Sequence, residues 1–509
     1  MKLNRLIPAA FSLAAGALPA VAATTAPQKP NVLFLIMDDF RPEAGCYGKD
    51  YIKTPNIDRI AKEGMVFDRA YCQQAICSPT RTSLLTGARP DTTKVYDLVT
   101  HFRTAMPDVV TLQQNFKNNG YFVQGMGKVF HGSFDDKPSW SVPVQIPRAV
   151  KYALEENRIL DQRQYEGEPD GDQPKKSSKK PGLRGPAFEA ADVPDNTFQD
   201  GKVAELAVKT LQEMSKKNEP FFLAVGFIKP HLPFVAPKKY WDLYDPATIQ
   251  LAPNKFYPKN APKYAIRSGY GNEVRNYCGI PAEGSVPDDI ARQLKHGYYA
   301  AVSYSDAQVG KVLDELDRLG LSANTIVILW GDHGWKLGEH DAWAKHSNCE
   351  NDANAPLILS VPGMKNAGAH TDALVEFVDI YPTLSELAGL PLPAHLEGTS
   401  FKPLLDNPKR PWKSAAFSQY PRPKQDLMGY SMRTDRYRFT VWVNEKDHSK
   451  VDAIELYDHQ TDPQENVSIA KDPANAELVK QLMAQWEKGW QGAKPPVVTA
   501  KWWQFWKSE

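Results

Sequence analysis

Three long stretches of the chain are apolar without a break and then stop abruptly at polar residues. Asn31 to Met37 (NVLFLIM) runs into Asp38-Asp39, Phe221 to Phe227 (FFLAVGF) runs towards Lys229-Pro230-His231, and Thr325 to Trp330 (TIVILW) meets Gly331-Asp332-His333-Gly334. A shorter run, Tyr121 to Gln124, leads into Gly127-Lys128-Val129-Phe130-His131. Unbroken apolar runs of this length predict strands buried on both faces of a parallel or mixed sheet. Helical patterns alternate with them, at Gly201 to Met214, Ala291 to Leu319 and Phe377 to Leu387. Strands alternating with helices predict an α/β layer fold. In such folds ligands gather at the carboxyl ends of strands, and here those ends carry most of the acids, histidines and lysines of interest.

The remaining stretches divide the chain. Lys2 and Arg5, the apolar run Leu6 to Leu18 and the small residues Ala20-Val21-Ala22-Ala23 have the order of an export signal, so residues 1–23 are expected to be removed and the protein to be periplasmic or secreted. No other apolar stretch is long enough to predict a membrane span. Glu166 to Pro186, with Lys175-Lys176-Ser177-Ser178-Lys179-Lys180, reads as a solvated insertion. Pro253 to Asp288 is irregular and rich in Pro, Gly and Tyr. From about Pro411 short strand-like runs such as Tyr437 to Val443 precede a final helix near Asn475 to Trp490. The expected organisation is a catalytic domain over residues 24–410 and a smaller α+β subdomain over 411–509. The tail Trp502-Trp503-Gln504-Phe505-Trp506 reads as packing against the body rather than as a sugar-stacking surface.

Composition narrows the function classes. The 509 residues carry 61 Lys and Arg against 60 Asp and Glu, a net charge of +1, so there is no basic stripe of the kind that nucleic-acid binding needs. Hydrophobic residues at 42% and charged residues at 24% exclude global disorder. Five cysteines in a chain of this size are too few for a disulfide scaffold, and their odd number leaves at least one for another role.

The segment that begins at Cys77 is the most informative, although a lone cysteine before a helix would read as structural. In Cys77-Ser78-Pro79-Thr80-Arg81-Thr82-Ser83-Leu84-Leu85-Thr86-Gly87, Pro79 sits where a first helical turn tolerates it. Cys77 is thereby placed at the positive end of a helix dipole, with Arg81 one turn on. Asp38, Asp39 and Asp332, three hard carboxylates at strand ends, suit a divalent cation bound through oxygen.

The C-x-P-x-R then L-T-G sequence resembles the signature of the formylglycine-dependent sulfatases. The resemblance implies an alkaline-phosphatase-like α/β sandwich, with a large mixed sheet between helices and a smaller C-terminal α+β subdomain. It implies that Cys77 is oxidised to formylglycine by a formylglycine-generating or sulfatase-maturating enzyme. It also implies calcium held by Asp38, Asp39, residue 77, Asp332 and His333. His333 is the ligand that the chemistry supports least, because nitrogen suits calcium poorly, and bracing of Asp332 is its other role. Arg81, Lys128 and Lys345 would hold sulfate oxygens, His231 would protonate the departing alcohol, and His131 would accept a proton during sulfate release.

Further motifs are similar to the iduronate-2-sulfatase branch: Arg89-Pro90-Asp91-Thr92-Thr93, Gly127-Lys128-Val129-Phe130-His131, Lys229-Pro230-His231, Asp332-His333-Gly334-Trp335, Trp343-Ala344-Lys345 and Ser418-Gln419-Tyr420-Pro421-Arg422-Pro423. They imply a sulfated saccharide substrate, first among them a 2-O-sulfated uronic acid. His346 stands where that branch has Tyr, and His101 and Arg103 also depart from it. Arg103 would suit a uronate carboxylate, and Trp335 and His346 are further candidates for reading the sugar. Another sulfated polysaccharide fragment, such as an algal glycan, is the alternative substrate. The rival classes are a phosphoesterase on the same fold and a non-catalytic sulfated-glycan-binding protein. A two-metal phosphatase with a Ser or Thr nucleophile would lack the Cys77 motif, and a decayed site would not keep the acids and both histidines.

Overall fold

Both faces of the central strands are buried, which is why their sequences do not alternate. In β1 (Asn31–Asp38) Val32, Phe34 and Ile36 enter one hydrophobic cluster while Leu33, Leu35 and Met37 enter another. The computed structural model describes residues 29–132, 134–161, 184–217, 219–266 and 273–496. The export signal, most of the lysine-rich insertion and the Trp502–Trp506 tail lie outside the described residues.

The other strands of the large sheet are β2 (Met65–Phe67), β3 (Phe122–Gly127), β4 (Phe221–Pro230), β5 (Thr325–Gly331), β6 (Leu357–Ser360) and β7 (Ala369–Thr371). Their order is β7-β2-β6-β5-β1-β4-β3. β1, β3, β4 and β5 run parallel, and β6 is antiparallel to both of its neighbours. Helices cover the two faces, as the two separate clusters require. α1 (Cys77–Thr86) and α4 (Ile380–Leu387) pack on one side through Leu84, Leu85, Tyr381 and Leu384. α2 (Gln199–Met214) and α3 (Asp288–Arg318) pack on the other through Val203, Leu211, Tyr298 and Val302. The architecture is an alkaline-phosphatase-like α/β sandwich with a mixed central sheet.

The second sheet is antiparallel and sequential: β8 (Ala416–Arg422), β9 (Leu427–Arg433), β10 (Tyr437–Asn444) and β11 (Asp447–Asp458). α5 (Ala476–Trp486) lays Leu482 on its apolar face with Met432, Phe439 and Val441. This α+β unit is joined to the sandwich by buried polar contacts. Ser418 Oγ donates to the Cys72 carbonyl at 2.6 Å, and Gln419 N donates to the Gln73 carbonyl at 2.7 Å. Lys413 Nζ lies 2.7 Å from Glu376 and 2.6 Å from Asp379, and Arg89 grips Glu376 with two bonds of 2.8 Å. All five cysteines are free thiols. Among the described residues no helix is long and apolar enough to cross a membrane.

Candidate active site

The parallel strands β1, β3, β4 and β5 end on the same edge, and their carboxyl ends deliver the polar residues to one place. β1 supplies Asp38 and Asp39. The register with β4 shifts between Met37 and Asp38, and Asp39 has a φ of 57°. A non-glycine residue in that left-handed region is strained by about 1–3 kcal/mol, and at this strand end the turn brings both carboxylates into one cluster. β5 supplies Asp332 and His333, β4 supplies His231, and β3 supplies Lys128 and His131. Lys345 comes from the loop after β5.

α1 begins at Cys77 and stops at Gly87, whose φ of 68° suits glycine. Every residue of this helix is buried although six of its ten are Ser, Thr or Arg, and Thr80 and Arg81 find their partners in the site. Thr80 Oγ1 donates to the Asp332 carbonyl at 2.8 Å. Cys77 Sγ lies 3.3 Å from Asp38 Oδ1 and 3.3 Å from His333 Nε2. Burial, and then the Asp38 carboxylate, push the Cys77 thiol well above its usual pKa. An unmodified Cys77 therefore stays protonated and is a poor nucleophile.

Ligand atoms of Asp38, Cys77, Asp332 and His333 lie within 4.8 Å of one another, as do those of Asp38, Asp39, Cys77 and His231. Burial raises the Asp39 carboxyl well above the usual range, aided by repulsion from Asp38, Glu273 and Asp332, and outweighs attraction by Lys345. Burial and Asp38 likewise carry Asp332 up to about 7. Burial also disfavours ionised Asp38, but Lys128 and Arg81 outweigh it and hold that carboxyl well below the usual range. Carboxylates crowded against their own repulsion are a donor set that fits a hard dication. His333 Nδ1 meets the Gly334 carbonyl at 3.0 Å, so it carries the ring proton and Nε2 faces the cluster. Burial, then Lys345, lower the His333 pKa and keep the ring neutral.

The cations surround this cluster. Lys128 Nζ bonds Asp38, and Lys345 Nζ lies 3.0 and 3.1 Å from the two Asp39 oxygens. His231 Nε2 stands 3.7 Å from Asp39, with Nδ1 tied to the Leu232 carbonyl at 2.7 Å. Lys229 braces this turn by donating to the His231 and Pro233 carbonyls at 3.0 and 2.6 Å. His131 is buried at the same edge.

Several residues lie elsewhere than expected. Arg81 Nε reaches Asp332 at 2.9 Å, Nη2 reaches Asp38 at 3.1 Å, and Nη1 reaches the Lys128 and Val129 carbonyls at 2.5 and 3.0 Å. These bonds place it behind the carboxylates, as a positioning residue rather than a sulfate clamp. Arg103 does not face the site: it grips Asp136 at 2.5 and 2.8 Å and bonds Pro107 O, Val109 O and Gln114, which uses every N–H of its guanidinium. Trp335 is 0% exposed, packed edge-on against Phe234 with Lys345 over its ring, so it belongs to the core and offers no face to a sugar. His346 is turned towards Tyr420, whose hydroxyl is 2.7 Å from Nδ1. Tyr420 clusters with Ile76, next to Cys77.

Two residues in the site had no signal in sequence. Glu273, from a short 3-10 turn, lies 3.2 Å from Lys345 Nζ and 3.5 Å from His231 Nε2. Arg184 stands 3.8 Å from Glu273. Both come from the irregular insertions, where composition indicates only loop.

Comparison with known proteins shows the family. The Sulfatase family profile matches residues 30–390, and a profile for the C-terminal part of N-sulphoglucosamine sulphohydrolase matches residues 338–491. The chain is a member of the sulfatase family. It is 36% identical over 531 residues to iduronate 2-sulfatase of Mus musculus, covering 89% of this chain and 93% of that one, which places it in the iduronate-2-sulfatase-like branch. The sulfatase shares its fold with a solved structure described as a 2-O GAG sulfatase, at TM-score 0.68, 23% identity and coverage of 91% and 92% of the two chains. A phosphonate monoester hydrolase from Silicibacter pomeroyi has the same fold, at TM-score 0.72, 21% identity and coverage of 92% and 97%. The protein is thus a sulfuric ester hydrolase, and its acidic cluster fits the divalent metal that this family uses.

Proposed function

We propose that this sulfatase removes the 2-O-sulfate of a uronic acid at the end of a saccharide chain, with residue 77 as formylglycine and calcium among Asp38, Asp39, Asp332, residue 77 and His333. The observation that carries the reading is the convergence of Cys77, at the amino end of α1, with three carboxylates and the cations Lys128 and Lys345. The 36% identity to iduronate 2-sulfatase supports the choice of sugar. Burial of the rim supports chain-end action, since Cys77, His131, His231 and Lys345 are each no more than 4% exposed.

Formylglycine, once formed from Cys77, would supply a hydrated aldehyde as the nucleophile towards sulfur, and calcium would supply positive charge against the sulfate oxygens. The chain's own side chains do the rest. Arg81 fixes the Asp332 and Asp38 carboxylates, and Asp332 accepts the proton of the attacking hydroxyl. Lys128 and Lys345 face the oxygens where negative charge develops. His231 in its imidazolium form, with Nδ1–H held by the Leu232 carbonyl, gives its Nε2 proton to the sugar oxygen as the S–O bond breaks, so the saccharide leaves as an alcohol. His131 accepts the proton whose loss releases sulfate. The protein is exported after removal of residues 1–23, and a maturating enzyme that recognises the Cys77 motif is its transient partner.

Sulfate release from a panel of 2-O-, 6-O- and N-sulfated glycosaminoglycan disaccharides and algal fragments tests the reading, with Cys77→Ala as control and mass analysis of the residue 77 peptide. Release from 2-O-sulfated uronates, abolished in the control, is expected. Release only from another sugar overturns the substrate, and activity with an unmodified Cys77 overturns the mechanism.

A further inference from the structure

Glu273 is a buried carboxylate, 2% exposed, that meets two cationic side chains and the His231 ring. Its Oε2 lies 3.2 Å from Lys345 Nζ, and its Oε1 lies 3.5 Å from His231 Nε2 and 3.8 Å from Arg184 Nη1. Among the described residues neither oxygen has a hydrogen bond of acceptable geometry. Among the described residues, charge attraction is what holds the Glu273 carboxylate, whereas Asp38 and Asp332 are fixed by directed bonds from Arg81. An anion held in that way exchanges more easily for another than one locked by several donors.

The place it fills is the place a substrate needs. His231 has a ring nitrogen within 4.8 Å of Cys77 Sγ, and its Nε2 faces Glu273. A sulfate ester presents paired oxygens as a carboxylate does, so Lys345 and His231 can receive either. Arg184 is held in position from outside the central sheet. Its Nη1 donates to Tyr277 Oη at 3.1 Å, its guanidinium lies over the Tyr277 ring, and the segments Arg184–Pro186 and Tyr277–Cys278 pair as a short parallel ladder. A planar guanidinium fixed by an aromatic face is suited to recognise an oxyanion.

We propose that Arg184, His231 and Lys345 form an anion pocket that Glu273 fills in the substrate-free enzyme, and that the sulfate of the substrate displaces Glu273 from it. This rests on the sulfatase reading of the site and adds Arg184 as a substrate-binding residue and Glu273 as an internal competitor. With the ester bound and Glu273 still in place, two anions would share the same cations, and repulsion between them disfavours that state.

The test is calorimetric titration of inorganic sulfate into the calcium-loaded full chain carrying Cys77→Ala. A pocket that its own occupant fills nine-tenths of the time weakens apparent affinity about tenfold, so Glu273→Gln is expected to tighten sulfate binding by about that factor. In the Glu273→Gln background, Arg184→Gln is expected to weaken it again by about tenfold. Glu273→Asp, with a shorter reach, is expected to lie between wild type and Glu273→Gln, and it serves where the amide fails to fold. Unchanged or weaker sulfate binding in Glu273→Gln, or no effect of Arg184→Gln in that background, overturns the proposal. The readout is binding to a protein without its nucleophile. Absence of sulfatase activity in the wild type would therefore fault the function and leave this result standing.

Discussion

Arg81→Lys keeps the charge of a fully buried side chain and removes its geometry. Arg81 makes one bond to each of two carboxylates and two to main-chain carbonyls. A lysine ammonium on a straight stem can keep one carboxylate, and it loses the fork that spans both. One charge-assisted bond at about 2 kcal/mol and one or two buried carbonyl bonds at about 1 kcal/mol each are lost, roughly 3–4 kcal/mol in all. At 1.4 kcal/mol per factor of ten, that is about two to three orders of magnitude. The loss falls on the arrangement of Asp38 and Asp332, so kcat and calcium affinity should drop while KM changes little. Steady-state sulfate release across a calcium titration separates these effects. Activity within threefold of wild type at every calcium concentration would refute the positioning role, and a rise in KM with kcat unchanged would return Arg81 to the substrate.

Four further outcomes are expected. Arg103→Gln takes the guanidinium from buried Asp136 and leaves it the Ser139 hydroxyl, so the unfolding free energy read by urea denaturation should fall by about 1–3 kcal/mol while KM for the sulfated sugar stays within twofold; a tenfold rise in KM would restore Arg103 to the site. Lys413→Met breaks the buried pairs with Glu376 and Asp379 at the junction of the two sheets and should cost about 3–5 kcal/mol, read by urea denaturation with wild type in parallel. Burial disfavours the ionised forms of Glu376 and Glu350, but Arg89 and Lys413 on the first and Arg438 and Arg433 on the second outweigh it, lowering each from 4.5 to about 2. Their stabilisation is complete above about pH 4.5 and is lost as pH falls through about 2, so wild-type denaturation midpoints should drop across that window and Lys413→Met should show a smaller drop. Chelation with EDTA should abolish sulfate release and lower the melting temperature, and calcium should restore both, with stabilisation of about 2.7 kcal/mol at a hundred times its Kd; melting indifferent to EDTA would count against the metal.

The sequence made the strand ends legible because a strand buried on both faces has no polar residue to spare. Where the apolar run of β1 stops, Asp38 and Asp39 have to serve some purpose other than solvation. Lys128, His231 and Asp332 were readable on the same ground, and Cys77 was readable from the motif that opens its helix. Arg103 and Trp335 misled because neighbourhood in sequence to a motif is not orientation. The guanidinium of Arg103 is used up by Asp136, thirty-three residues away, and Trp335 turns into the core beside Phe234. Glu273 and Arg184 were invisible for the opposite reason. Each sits in an insertion whose composition reads as solvated loop, and only the pairing of Arg184–Pro186 with Tyr277–Cys278 brings the two together.

That pairing changes the electrostatics of the whole site. Asp38, Asp39, Asp332 and Glu273 face Lys128, Lys345, Arg81 and Arg184, so four carboxylates are matched by four fixed cations inside a region that excludes water. Counted as ionised and leaving the histidines aside, these eight side chains cancel, so with Glu273 in place they leave no excess to attract an anion. The calcium of the proposed function makes the pocket net positive by two charges, and withdrawal of Glu273 makes it positive by three. A sulfate ester brings one negative charge, and inorganic sulfate brings two. The same displacement that admits the substrate therefore holds the product more tightly than the ester. Return of Glu273 to Arg184, His231 and Lys345 supplies what the site otherwise lacks, an internal anion able to drive sulfate out.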